Sequence, residues 1–410
     1  MPKSARTRLL VVGVKMPAES FIQRKLEGLA AAGMRVTMTT TSRSESHRGP
    51  RGVRIIHLLR PGAPFIARLA RLLLDALIFL VVSADRLPGL IRALRSVWGI
   101  SRWDKFAAVC LIVPLARLRP QIVHFEWINV AVTCRPLFPV WNCPVVVSCR
   151  GTFINVFPHI PSMAPFVIQM REALRASTAV HCVSEEMSLN EMLEGLDRRK
   201  IQIIHPAVDP QRFQPSHSRH ERDGVFRIVT VSNLSWVKGV EYALVAVRKL
   251  RDSGVRVSYD LIGDGPEYQR VLYTVHDLAL QDVVTLHGNL EESNVLEKLQ
   301  QSDAFLLSSL SEGISNGVLE AMACSLPVVT SDCGGMREAV RDGIDGFVVP
   351  SRDSAAMAEA LGTLAADPEL RARIGYAARG RIADKFSLDR QIDQWEALYR
   401  AVSTLERRHQ

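Results

Sequence analysis

The stretch that decides the fold covers residues 304–331 and reads AFLLSSLSEGISNGVLEAMACSLPVVTS. An apolar run at 304–308 is followed by a polar loop, by helix-forming residues after Asn316 and by a second apolar run at 327–331. Short apolar runs that alternate with helical segments are typical of parallel strands joined by crossover helices. The stretch therefore predicts one strand–helix–strand unit of a doubly wound α/β sheet.

The same alternation continues in both directions along the 410 residues of the chain. This length is more than one ordinary core supports, so we expect two doubly wound, Rossmann-like α/β domains. A turn at 205–209, followed by polar residues up to 224, predicts the linker, and we place the domain boundary between 208 and 209. Because ligands lie beyond the carboxyl ends of such strands, we expect the site in a cleft that the two domains face. Strands are predicted at 9–14, 36–40, 122–125, 145–148, 179–183, 226–232, 258–263, 283–287, 304–308, 327–331 and 346–349.

Cysteine usage and the first residues indicate a cytoplasmic protein. The seven cysteines are odd in number and scattered, and none are spaced as Cys-x-x-Cys. This pattern argues against a disulfide framework and against a zinc site, and it fits a reducing compartment. Residues 1–8 are basic, but the apolar stretch after them is short and alternates like a strand, so we do not expect a signal peptide.

The positive charge is concentrated in one region. The net charge is +9, and residues 43–119 hold 14 Lys or Arg against four Asp or Glu. Within this region, residues 65–82 are nearly long enough to span a bilayer but carry Arg68, Arg71 and Asp75. We predict a helix that lies on the inner-membrane surface, with a core-covering amphipathic helix as the alternative. A nucleic-acid partner is not expected, because the region contains no recognisable reading module.

A candidate anion site lies at 312–320, where Ser315 and Asn316 are good caps for the helix that follows. The free N–H groups and positive end of that helix would hold a phosphate, and Gly313 and Gly317 would let it approach closely. The carboxylates of Glu312 and Glu320 would lie on either side of it. The alternative is an ordinary helix start with two solvated glutamates.

These residues closely resemble glycosyltransferase family 4 of the GT-B superfamily, specifically its bacterial exopolysaccharide and lipopolysaccharide enzymes. The resemblance spans nearly the whole chain and is densest at 226–350. It implies a GT-B fold in which residues 209–384 form the nucleotide-sugar domain and a helix at 385–410 crosses back to the first domain. It also implies that Glu312 binds the transferred sugar and Glu320 the ribose. The amides facing the sugar and pyrophosphate would be those of Gly313, Ile314, Ser315, Asn316 and Gly317.

Other donor-side candidates follow the strands of the second half. Lys238 follows the first of them, where a lysine would meet a pyrophosphate as a point charge. The family usually has an arginine a few residues earlier, where this chain has Asn233. Gly263, Asp264 and Gly288 close the next two strands, and the resemblance places them near the base and ribose. Plain turn chemistry is the alternative for these loops.

The acceptor side is predicted in the first half. The segment around Lys15 and Ser20 is similar to the Pro-x-x-Ser-Glu-Thr-Phe-Ile of the exopolysaccharide group, and His124 and Glu126 end a predicted strand nearby. Arg150 occupies a position where many relatives have a histidine. We predict that Arg150, like Glu312 and Lys238, has a catalytic role. It would either replace the cation missing at Asn233 or read an acidic sugar, because its fork can pair with phosphate or carboxylate.

The resemblance implies transfer of a sugar from a nucleoside diphosphate to a hydroxyl, with retention at the anomeric carbon. The acceptor would be a glycan or a polyprenyl-diphosphate-linked sugar. The sequence places no Asp-x-Asp element suitably, so we expect no metal and no cofactor beyond the nucleotide-sugar co-substrate. Two alternatives remain open at this point: a nucleotide-sugar epimerase of the same architecture, and a non-catalytic nucleotide-sugar-binding protein.

Overall fold

The computed structural model describes residues 7–41, 49–58, 63–96, 102–216 and 223–407, and at 102–105 and 405–407 it describes the backbone only. Parts of the predicted membrane-contact region 43–119 therefore lie outside the described residues. The chain divides into two compact units. The first comprises Met1–Cys182, Ser188–Ile204 and Ile392–Gln410, and the second comprises Val183–Met187 and His205–Gln391. These divisions lie near, but not at, the predicted domain boundaries.

The first unit is built on a seven-stranded sheet of order β3-β2-β1-β4-β5-β6-β7, in which neighbouring strands pair in parallel. The central strands are buried along their whole length, as expected of a parallel sheet covered by helices on both faces. The strands are β1 Arg8–Val12, β2 Arg35–Thr40, β3 Arg54–His57, β4 Ile122–Phe125, β5 Val145–Cys149, β6 Ala179–Cys182 and β7 Ile201–Ile203.

The helices of the first half alternate with these strands. They are α1 Ser20–Ala31, α2 Phe65–Val82, α3 Leu87–Ser96, α4 Arg102–Ala116, α5 Ile128–Cys134, α6 Phe138–Trp141, α7 Gly151–Asn155, α8 Ala164–Ala176 and α9 Glu185–Ser188. The apolar positions of α1 explain its placement, since Ile22, Leu26 and Leu29 recur at helical spacing and are fully buried.

The second unit repeats the plan with a six-stranded parallel sheet of order β10-β9-β8-β11-β12-β13. Its strands are β8 Phe226–Val231, β9 Val257–Ile262, β10 Val284–Gly288, β11 Ala304–Leu307, β12 Val328–Ser331 and β13 Phe347–Val349. Its helices are α10 Val240–Asp252, α11 Tyr268–Asp277, α12 Glu292–Gln301, α13 Asn316–Ala323, α14 Met336–Ala339, α15 Ser354–Ala366 and α16 Pro368–Lys385. The last helix, α17 Leu388–Arg407, belongs to the first unit from Ile392 onward.

Each sheet has one point where the chain reverses its winding direction. In the first sheet this point lies between β1 and β4, and in the second between β8 and β11. The loops that leave such a pair of strands turn to opposite faces of the sheet and open a crevice at its carboxyl edge, where ligands bind. The strand order therefore predicts that a ligand of the second unit binds at the loops after β8 and β11.

Candidate active site

The loops after β8 and β11 are joined by three local contacts. The amide of Leu310 donates to the Val237 carbonyl at 2.7 Å, and Ser308 Oγ donates to the Lys238 carbonyl at 3.1 Å. Gly239 has φ +52°, and a Cβ at this position would lie 2.7 Å from the Ser308 carbonyl oxygen. Glycine is therefore needed here both for the left-handed turn and for the close approach of the two loops.

These contacts bring Lys238 and Glu312 together. Lys238 Nζ donates to Glu312 Oε1 at 2.5 Å, and Ser309 Oγ donates to the same oxygen at 2.7 Å. The side chains are 16% and 10% exposed, so both charges are largely removed from water. Charge interactions are stronger in such surroundings than in bulk water, and the pair is therefore placed to act strongly on a charged ligand.

Helix α13 begins beside this pair. Its N-cap residue, Ser315, makes no side-chain capping bond, and the amides of a first helical turn have no partner within the helix. A Cβ on Gly317 would lie 2.6 Å from the Val231 carbonyl oxygen, so the start of the helix packs directly against the end of β8. Glu320 follows one turn later and is 8% exposed. The predicted set from Glu312 to Glu320 thus lies at the crevice.

Two buried polar atoms at this crevice have no hydrogen-bond partner within the described part of the chain. They are Ser232 Oγ, just after β8, and Asn316 Oδ1, at the start of α13. Leaving such a group unsatisfied costs about 1–3 kcal/mol, so native proteins seldom keep one without a ligand or water. Ser232 was not among the predicted residues, because a serine after a strand carries no distinguishing pattern.

The loops after β9 and β10 complete the same edge. The Gly263 amide donates to the Gly288 carbonyl at 2.8 Å, and a Cβ on Gly263 would lie 1.8 Å from the Ser232 carbonyl oxygen. The Asp264 side chain accepts from the Gly265 amide at 2.7 Å, while Asn233 is exposed. The structure therefore brings Asn233, Gly263, Asp264 and Gly288 together; which of them contact a nucleotide stays a prediction.

Glycines also fix the loop that carries Glu312. Gly334 has φ +54°, and a Cβ there would lie 2.0 Å from the Glu312 carbonyl oxygen. The Gly335 amide donates to the Gly313 carbonyl at 2.6 Å. The backbone of residues 312–314 is thus held against the loop after β12. This close approach explains why glycines occupy positions 334 and 335.

In the first unit, the predicted residues at the carboxyl edge form a buried cluster. Glu126 Oε1 accepts from Lys25 Nζ, and Glu126 Oε2 accepts from Arg150 Nη2 at 2.9 Å. His124 Nδ1 lies 3.2 Å from Lys25 Nζ, and His124 Nε2 lies 2.8 Å from Ser148 Oγ. We call Lys25, His124, Glu126 and Arg150 the Arg150 cluster.

Burial and charge set the protonation states in the Arg150 cluster. Burial lowers the pKa of Lys25 to about 8, although the Glu126 carboxylate opposes this shift. Burial would raise the pKa of Glu126, but Lys25, His124 and Arg150 together hold it below its ordinary range. Burial, with Lys25 adding to it, lowers the pKa of His124 well below its usual value. At neutral pH the cluster therefore contains two cations, one carboxylate and a neutral imidazole.

The structure corrects the expected positions of two acceptor-side candidates. His124 and Glu126 are completely buried, so they lie beneath the edge of the sheet and are not exposed to an acceptor. Lys15 is exposed on the loop after β1, and Ser20, at the start of α1, accepts from Arg24 Nη2 at 3.4 Å. Lys25 was not predicted, although a lysine at helical spacing beside the buried Ile22 and Leu29 was a usable signal.

Two family models match the chain. Glycosyltransferase Family 4 matches residues 18–212, and Glycosyl transferases group 1 matches residues 213–381. The chain belongs to glycosyltransferase family 4. The predicted GT-B class is confirmed for this glycosyltransferase, since the two parallel-sheet units match solved structures of that architecture.

Curated relatives of this glycosyltransferase include biosynthetic enzymes of several bacteria. N-acetyl-alpha-D-glucosaminyl L-malate synthase of Bacillus anthracis is 28% identical over 62% of this chain and 67% of that protein. Amylovoran biosynthesis glycosyltransferase AmsK of Erwinia amylovora is 30% identical over 47% of this chain and 49% of that protein. The match to AmsK thus spans about half the length of that relative.

The likeness to solved structures covers almost the whole chain. Anabaena Alr3699/HepE in complex with UDP and glucose is 15% identical with a TM-score of 0.72, over 96% of this chain and 99% of that one. Sucrose-phosphate synthase from Thermosynechococcus elongatus is 18% identical with a TM-score of 0.74, over 98% and 100% of the two chains. At these identities the likeness establishes the fold alone.

Proposed function

We propose that this glycosyltransferase moves a sugar from a nucleoside-diphosphate sugar to a hydroxyl of a glycan or lipid-linked acceptor, with retention at the anomeric carbon. The proposal rests on the Lys238–Glu312 ion pair, which lies beside the start of α13. A cation, a carboxylate and free helix amides at one crevice match the needs of a donor that joins a sugar to a diphosphate. A solved neighbour crystallised with UDP and glucose supports a donor of this class.

In this proposal the departing diphosphate is stabilised by the protein itself. Lys238 supplies a point charge and the first turn of α13 supplies N–H groups, both fixed before the reaction by the contacts between the loops. Stabilisation of developing charge by groups that need no rearrangement is usually the largest catalytic contribution. Glu312 would hold the sugar and Glu320 the ribose. The reaction then requires no metal ion.

Donor turnover tests this function. The purified protein is incubated with a panel of labelled nucleoside-diphosphate sugars, with and without bacterial membrane extract and with and without EDTA. We expect free nucleoside diphosphate to appear with one donor only when acceptor is present, in equal amounts with and without EDTA. Conversion of a donor without acceptor would contradict transfer, and loss of product in EDTA would contradict the metal-independent step alone.

We also propose that this glycosyltransferase works on the cytoplasmic surface of an anionic membrane, through helix α2. The acidic side chain of the helix faces inward: Asp75 is fully buried and pairs with Arg71 at 2.9 Å and Arg117 at 3.2 Å. Nine large apolar side chains on the helix are exposed instead: Phe65, Ile66, Leu69, Leu73, Leu74, Leu77, Leu80, Val81 and Val82. No helix among the described residues is long and apolar enough to cross a membrane.

Charge supports a lipid surface, rather than a second copy of the chain, as the proposed partner of α2. Arg92 and Arg95 are exposed on α3, and residues 43–119 carry a surplus of ten positive charges. Two such surfaces repel each other, whereas anionic headgroups attract each basic residue by about 1 kcal/mol.

The state of the cysteines supports the cytoplasmic side of the membrane. All seven cysteines are free thiols, as is usual in the reducing cytoplasm.

Vesicle binding tests the membrane surface. We expect the protein to sediment with phosphatidylglycerol vesicles and not with phosphatidylcholine vesicles. The double substitution Leu73→Glu and Leu77→Glu should weaken binding at least about tenfold, since burying each leucine contributes roughly 1.5–3 kcal/mol. Leu272→Glu, at an exposed leucine of the second unit, is the control. Equal binding of both variants, or concentration-dependent dimers without vesicles that the double substitution abolishes, would overturn this assignment.

A further inference from the structure

The Arg150 cluster has one more positive than negative charge. Lys25 and Arg150 share the single carboxylate of Glu126, and the three side chains are 3%, 13% and 0% exposed. The nearby His181 remains neutral, because burial and the charge of Arg150 lower its pKa well below the ordinary value. Uncompensated charge in a nearly dry site is costly, and one further anion would balance it.

Arg150 is the member of the cluster that reaches solvent. One Nη atom is engaged by Glu126, and the guanidinium lies 5.0 Å from the centre of the Phe21 ring, which restricts its orientation. Its Nε is buried and has no hydrogen-bond partner in the described part of the chain. A guanidinium has five donors, so Arg150 retains N–H groups for a further acceptor.

The cluster also lies where a doubly wound sheet binds ligands. Glu126 follows β4 and Arg150 follows β5, at the carboxyl edge and beside the reversal of winding between β1 and β4. The loop after β1 carries the exposed Lys15 at the same edge. The position, the charge imbalance and the unsatisfied Nε thus lead independently to a ligand at Arg150.

We propose that Arg150, held by Glu126, binds an anionic group of the substrate, a carboxylate or a phosphate. Naming its carrier, either the transferred sugar or the acceptor, rests on the proposed sugar transfer; anion binding itself does not. The proposed function assigns the donor diphosphate to Lys238 and the start of α13, so we assign the anion at Arg150 to another part of the substrates. Glu126 is a positioning residue that holds the guanidinium through Oε2, and Lys25 in turn holds the Glu126 carboxylate through Oε1.

Binding of small anions tests this site without turnover. Calorimetric titration at low ionic strength compares D-glucuronate with D-glucose, and glycerol 1-phosphate with glycerol. We expect at least one anion to bind wild-type protein roughly 10- to 100-fold more tightly than its neutral counterpart, the effect of a charge-assisted hydrogen bond. Arg150→Gln should abolish that difference, and Arg150→Lys should keep part of it.

The matched control is Arg135→Gln, which removes an arginine from a surface pair with Glu172 in the same unit. It should leave anion binding unchanged, and Arg150→Gln should leave the affinity for the preferred nucleoside diphosphate within about threefold. A preference for glucuronate alone assigns the anion to a sugar, and a preference for glycerol phosphate alone assigns a phosphate group.

Equal affinity for anions and neutral probes, or a preference that Arg150→Gln retains, would overturn the site. If Arg150→Gln does not fold, Arg150→Lys decides: a preference no weaker than wild type would contradict the proposal. If no donor supports sugar transfer, the proposed function fails, but the anion-binding results remain valid. The two failures can therefore be distinguished.

Discussion

Replacing Glu312 with glutamine is expected to lower kcat of sugar transfer by about 10²- to 10³-fold, the usual range for removing one preorganised electrostatic contact. The substitution preserves side-chain volume but removes the charge that Lys238 and Ser309 contact at 2.5 and 2.7 Å. Lys238 would then lack its counter-ion in a largely buried position, and the transferred sugar would lose its proposed carboxylate partner. Steady-state release of nucleoside diphosphate, with the donor identified by the panel, measures the effect.

The matched control is Glu241→Gln in the same unit. Glu241 lies in the first turn of α10 and pairs with Arg270 near the surface, so its loss should leave kcat within about twofold. Affinity for free nucleoside diphosphate should survive Glu312→Gln, because the glutamate is proposed to hold the sugar. A kcat within threefold of wild type would remove Glu312 from the catalytic role.

Much of the fold follows from the sequence pattern. Strands such as β8, β11 and β12 are short, mainly apolar runs bounded by polar loops, and their predicted bounds differ from the structure by a single residue. Strand β3 was missed because its four residues, Arg-Ile-Ile-His, place polar groups at both ends and occupy the edge of the sheet. Edge strands often carry such residues and therefore lack an apolar signature.

Some residues of the candidate site were predictable from the sequence, and others were not. Lys238 and Glu312 were predictable because each lies in the loop after a predicted strand, and parallel strands bring such loops to one edge. The contact of Ser309 with Glu312, the unsatisfied Ser232 and the placement of Lys25 under Arg150 were not predictable. They depend on contacts between segments far apart in sequence, or on atomic positions within a loop, which periodicity does not encode.

Replacing Lys238 with methionine is expected to reduce kcat/KM for the donor by about 10³-fold and to weaken binding of the nucleoside diphosphate by at least about tenfold. The proposed reason is that Lys238 supplies the point charge for the diphosphate. Its backbone is fixed by Ser308 and by the left-handed turn at Gly239, so the ammonium group starts from a defined position. Lys238→Arg should not restore activity, because a planar fork does not reproduce a compact ammonium.

Calorimetric binding and steady-state kinetics measure this change, and Lys249→Met, at an exposed lysine in the last turn of α10, is the control.

The double variant with Glu312→Gln decides how the two residues act. Groups in direct contact usually show coupling of about 0.5–3 kcal/mol, and residues that act as a unit lose little more together than singly. With Nζ and Oε1 only 2.5 Å apart, we expect the double variant to be no more than about tenfold slower than the worse single variant. Fully multiplicative losses would mean that Lys238 serves the diphosphate and Glu312 the sugar independently, and that their ion pair is not part of the reaction.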